Sequence, residues 1–84
     1  MIIKKIMKFL NDHQKQIIAD LEIGTDPETV ENPFSRVSCV LEPEAVALYD
    51  YIKGCEIFGD YHNMQEALYL FRYNWPDEFY KLLD

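Results

Sequence analysis

Asn63 to Asn74, NMQEALYLFRYN, is the stretch whose reading decides the fold, because between its ends only Gln65, Glu66 and Arg72 are strongly polar. Apolar residues then cover most of a helical circumference, and such a helix needs neighbours on more than one side. Met64, Leu68, Phe71 and Trp75 form one stripe at three- and four-residue steps, and Ala67, Leu70 and Asn74 a second, with Tyr69 and Tyr73 beside them. Asn63 followed three residues later by Glu66 reads as a capping box that starts this central helix.

Working outward, Glu42-Pro43-Glu44 opens a long helix before it, with Pro in the first turn and acids where the helix dipole favours them. Ala45, Leu48, Ile52 and Cys55 are its buried stripe, Gly59 ends it, and the link through Asp60, Tyr61 and His62 makes an antiparallel pair with the central helix. On the other side Trp75-Pro76 breaks the chain, and Pro76, Asp77 and Glu78 start a short last helix that returns Phe79, Leu82 and Leu83 to the core.

At the N-terminal end, Ile3, Met7, Leu10, Gln14, Ile17 and Leu21 fall at alternating four- and three-residue steps, predicting a first helix over residues 2–21, which Gly24 stops. The expectation is that this stripe packs on the central helix. Two alternatives use the same residues: self-association through Ile3, Met7, Leu10, Gln14 and Ile17, where the polar Gln14 would set the register, and a membrane-surface helix with Lys4, Lys5, Lys8 and Lys15 on its wet face.

Between the first and second long helices the pattern is weaker. Thr25, Asp26, Pro27 and Glu28 combine a cap residue with a first-turn proline and predict a short helical turn to about Val30. Arg36 to Leu41 alternates in the period of a strand but has no evident partner, so it is read as an extended connector, with pairing in a small ribbon or across a dimer as the alternatives. Asn32-Pro33-Phe34 is a tripeptide that endocytic adaptor domains bind; three residues recur by chance, and the expectation here is a Phe that anchors its loop on the core. The fold class is therefore all-α: one domain over residues 1–84, of three main helices plus one or two short ones, with one extended segment near residues 36–41.

Composition narrows the function classes. Eighty-four residues bury only about 60–65% of the unfolded surface, so the core is thin. Twelve aromatics and a 49% apolar fraction argue for a folded chain. The net charge is −7, divided as +2 over the first 21 residues and −9 over the rest. A phosphate backbone is repelled by that field, which disfavours direct nucleic-acid binding but suits a mimic that occupies a basic nucleic-acid channel. No segment reads as a signal peptide or a membrane span, which places the chain in the cytoplasm as a soluble protein with no membrane partner.

No constellation carries a reaction. Asp60, His62 and Glu66 have the spacing of three metal ligands without a fourth, and simpler roles in a turn and a cap explain them, so neither a metal nor any other cofactor is expected. Ser35, Ser38, Cys39 and Cys55 have only His13 and His62 to draw on, and neither histidine lies at a nucleophile-activating spacing. Three glycines leave little means of wrapping amides around a phosphate. Cys39 and Cys55 read as two buried thiols. The chain is thus expected not to be an enzyme. What remains is surface: Tyr69, Tyr73, Trp75 and Tyr80, with the neighbouring acids Asp77 and Glu78, have the composition of a protein-binding patch, the acids steering a basic partner.

The stretches NPFSRVSCVLEPEAVALYDYIKGCE and ALYLFRYNWPDEFYKLLD resemble small uncharacterised proteins of bacteriophages and prophages, over about residues 32–84. The resemblance carries no active site. It implies a bacterial cytoplasm during infection and an accessory role, binding and altering a host protein or defence complex.

Overall fold

The computed structural model describes residues 10–83, in the order α1 (Asp12–Asp20), β1 (Glu28–Glu31), β2 (Ser38–Leu41), α2 (Pro43–Phe58), α3 (Tyr61–Asn74) and α4 (Pro76–Leu82). α3 is the central element: it packs against α1, α2 and α4, and its Ala67, Leu70 and Phe71 have no accessible surface. Around them close Ile17 and Ile18 of α1, Leu41 of β2, Ala45, Leu48 and Ile52 of α2, and Leu82 of α4, in one hydrophobic cluster.

The all-α expectation is corrected by a two-stranded antiparallel sheet. Glu28 pairs with Leu41, Thr29 with Val40, Val30 with Cys39 and Glu31 with Ser38, so Arg36 to Leu41 is not a connector, and the helical turn expected at Thr25 to Val30 is a strand from Glu28 onward. The physical reason is non-local. Four residues bounded by two glutamates have little strand character alone, and their backbone groups become satisfied only by a partner ten residues on. Val30, Cys39 and Leu41 share the inner face and join the core, while Thr29, Val40, Glu31 and Ser38 face outward. β2 packs on α2 and α4, which supplies the cover that an isolated hairpin lacks.

α1 begins later than the heptad pattern implies. Asn11 caps it: its Oδ1 accepts from the Gln14 amide at 2.7 Å, and the Asn11 amide donates to Gln14 Oε1 at 3.1 Å. Residues 2–9 of the helix expected over residues 2–21 lie outside the described residues; from Leu10 onward the capping box starts the helix afresh and explains the polar residue in the apolar stripe, since Gln14 is 6% exposed with its side-chain oxygen spent on the cap. The helix ends at Asp20, ahead of Gly24, which lies in an exposed connector.

The α2–α3 hairpin follows the sequence more closely. Pro43 opens α2, and Gly59 closes it in the left-handed conformation at φ 74°, with the Asp60 amide donating back to Cys55 O at 2.9 Å. α3 then starts at Tyr61. Its cap is Asp60, whose Oδ1 accepts from the Asn63 amide at 3.3 Å, so the Asn63–Glu66 capping box is replaced by a cap three residues earlier. Trp75 serves as both the C-cap of α3 and the N-cap of α4.

Candidate protein-interaction surface

Tyr69, Arg72 and Tyr73 lie at three- and four-residue steps on the outer face of α3. Pro76 turns the chain at the α3–α4 junction, and one turn later Tyr80 returns to that face. Together these five residues line a cavity of about 260 Å³. A second cavity of about 470 Å³ continues it through the shared walls Tyr69 and Arg72, with Gln65, Leu68 and Phe79 as further lining. The Arg72 guanidinium sits 5.9 Å from the centre of the Phe79 ring, and Phe79 meets Tyr80 edge to face at 5.7 Å. The result is a groove lined by aromatic rings and by the exposed Arg72 cation, with the Glu66 carboxylate also lining its larger cavity.

Three of the six residues expected to bind a protein therefore come together: Tyr69, Tyr73 and Tyr80 are exposed and share the groove. Trp75 does not join them. It is half-buried, its ring lies 5.4 Å from Phe71, and its Nε1 donates to Glu42 Oε1 at 2.9 Å, which makes it a brace between the start of α2 and the α3–α4 corner. Asp77 is exposed and Glu78 half-buried in the first turn of α4, outside the groove lining. Sequence reasoning passed over Arg72, treating it as an interruption of an apolar helix. Its position three residues after Tyr69 and one before Tyr73 is the signal that places it between them.

Of the five residues grouped for self-association, Ile3 and Met7 lie outside the described residues, whereas Leu10, Gln14 and Ile17 are buried in the core of a single chain. Phe34 departs furthest from expectation: instead of anchoring its loop it is 94% exposed.

The polar candidates have local roles. His13 stacks on His62 with ring centroids 4.9 Å apart, and His13 Nε2 also meets Asn63 Oδ1, so α1 is joined to the first turn of α3. Among the described residues no three of His, Cys, Asp and Glu converge as a metal site. Both cysteines are free thiols. Burial pushes the Cys55 thiol above its ordinary value, with the Asp60 charge adding to the effect, and Cys39 is raised by burial and then by Glu78. A thiol held protonated in this way is a poor nucleophile.

Among the described residues no helix is long and apolar enough to cross a membrane. Comparison of the chain with protein-family models, with curated proteins and with solved structures yields no match to any of the three.

Proposed function

We propose that this chain acts without catalysis, as a small acidic protein that binds another protein through the groove of Tyr69, Arg72, Tyr73, Pro76 and Tyr80. The observation that supports it is the gathering of three exposed tyrosines around one cation on a rigid helix–proline–helix corner. Large, stiff side chains give contact area with little loss of rotamer freedom, and Tyr and Arg are the residue types that concentrate binding energy at interfaces. In this reading it is an accessory protein of a phage or prophage, working in the bacterial cytoplasm on a host protein or defence complex. The net charge of −7 disfavours direct contact with a phosphate backbone.

The test is capture from a bacterial lysate by the immobilised chain, in parallel with Tyr73→Ala and Tyr69→Ala variants of unchanged helical content. The expected result is a protein retained by the parent chain and lost from both variants, with at least about a tenfold fall in affinity. Retention by both variants rules the groove out. Competition by DNA, with capture that collapses as salt rises, transfers the reading to nucleic-acid mimicry.

A further inference from the structure

Asn11, the residue before α1, belongs to the lining of the larger groove cavity, together with Glu66, Tyr69, Arg72 and Phe79. Two residues on, His13 stacks on His62 and meets Asn63 in the first turn of α3. Higher numbers in α1 thus lie against lower numbers in α3, and the two helices run antiparallel. Followed backward, the chain at Asn11 is aimed along the groove, toward Tyr73 and Pro76 at the far end of α3. Leu10, buried in the core, fixes it at the near end.

The residues on that side of Leu10 are 2–9, IIKKIMKF, outside the described residues, and their chemistry matches the groove. Ile2, Ile3, Ile6, Met7 and Phe9 suit aromatic walls. Lys4, Lys5 and Lys8 give residues 1–9 a charge of +3 with no acid, against −10 over residues 10–84. The groove answers both: it offers the rings of Tyr69, Tyr73 and Tyr80, and for the lysines Glu66 in its lining with Asp77 and Glu78 in the first turn of α4. Arg72, a like charge, is held over the Phe79 ring at 5.9 Å. Length suffices as well. From Tyr69 to Pro76 is about 10 Å of helical rise, and eight residues reach about 12 Å at helical spacing and about 26 Å extended. A segment tethered at the groove meets it at an effective concentration of roughly millimolar, which favours the chain's own residues over those of a second copy.

We propose that residues 2–9 dock in the tyrosine groove of their own chain as an autoinhibitory strap, apolar side chains on the rings and lysines on the acids, which a partner must displace. The inhibitory role rests on the partner-binding reading of the groove; the docking does not.

The experiment is NMR of the full chain at two concentrations, with photo-CIDNP by a flavin dye as a second readout of tyrosine exposure. Cross-relaxation is expected from the side chains of Ile6, Met7 and Phe9 to the rings of Tyr69, Tyr73 and Tyr80, unchanged on dilution. It is expected to be lost in the Lys4→Glu/Lys5→Glu/Lys8→Glu variant, with the Lys→Gln triple as the substitute if that variant does not fold. Polarisation of the three groove tyrosines is expected to rise several-fold in the variant, while that of Tyr61, at the opposite end of α3, stays constant. Absence of those contacts, contacts that fade on dilution and so come from a second copy, contacts to another face, or equal polarisation in parent and variant overturns the proposal. Neither readout uses a partner. Failure here therefore leaves the partner-binding reading standing, and failure of lysate capture leaves the docking standing.

Discussion

Trp75 and Glu42, thirty-three residues apart, are joined by a hydrogen bond of 2.9 Å from the indole Nε1 to the carboxylate Oε1. Glu42 sits at the N-cap position of α2 without capping it, because that carboxylate is turned to the indole instead. The bond ties the start of one long helix to the corner where the other ends. Trp75→Phe keeps most of the apolar contact with Phe71 and loses the donor. It is expected to cost about 1 kcal/mol in urea unfolding, since the bond is charge-assisted but exposed to water. Glu42→Gln, which keeps an oxygen acceptor, is expected to cost less. Equal stability of Trp75→Phe and the parent would show that the brace carries no weight.

Gln14 is a buried polar residue with a local task, so its replacement reports on the cap and not on assembly. Gln14→Leu suits the apolar stripe better but leaves the Asn11 amide without its partner. A loss of about 1 kcal/mol is expected for Gln14→Ala, a similar one for Asn11→Ala, and no gain for Gln14→Leu. A rise of several degrees in melting temperature for Gln14→Leu contradicts this account.

The helical glycines of the α2–α3 hairpin respond in opposite directions. Gly54 lies inside α2 with nothing within 4 Å of an added Cβ, so Gly54→Ala is expected to stabilise by about 0.5–1 kcal/mol. At Gly59 an added Cβ meets only Tyr61 Cε2 at 4.0 Å, yet the φ of +74° strains any L side chain. Gly59→Ala is therefore expected to cost on the order of 1 kcal/mol. Denaturant midpoints of the two variants on opposite sides of the parent value are the outcome to look for.

Asn32 separates two contributions to the hairpin. Asn32→Asp keeps the oxygen that receives the Phe34 and Ser35 amides but loses the Nδ2 donor to Lys81 O, whereas Asn32→Ala loses both. Stability is expected to fall in the order parent, Asp, Ala, with about 1–2 kcal/mol between the ends of the series. Hydrogen exchange of the Phe34 amide, accelerated in Asn32→Ala and little changed in Asn32→Asp, distinguishes loop from brace.

Alkaline pH acts on the thiols. Cys55 and Cys39 are raised above 9.0, chiefly by burial, and Tyr51 above 10.0 by burial and then by Cys55. Where the folded-state value lies above the unfolded one, the folded chain holds its proton longer. The resulting stability is fully present below pH 9 and is lost as pH rises through the folded-state values. Unfolding free energy measured across this range is expected to fall, and Cys55→Ala to flatten the fall. An alkaline slope identical in Cys55→Ala would assign it to other groups.

What the sequence determined by itself is the part of the chain whose signals are local. The two long helices announce themselves through apolar stripes at three- and four-residue steps, through Pro43 and Pro76 at first turns, and through Gly59 at a left-handed end, because each of these acts within one or two turns of backbone. The tyrosine spacing was legible for the same reason: Tyr69 and Tyr73 share a face of any helix that contains both. Tertiary structure decided everything that depends on a distant partner. β1 is a strand only because β2 lies ten residues on, itself packed on α2 and α4. Trp75 is a brace because Glu42 reaches it, although the tyrosines and acids beside it in sequence suggested a contact residue. Phe34 faces solvent because Asn32 ties its loop to Lys81, forty-nine residues away, and no periodicity along the chain records that tie.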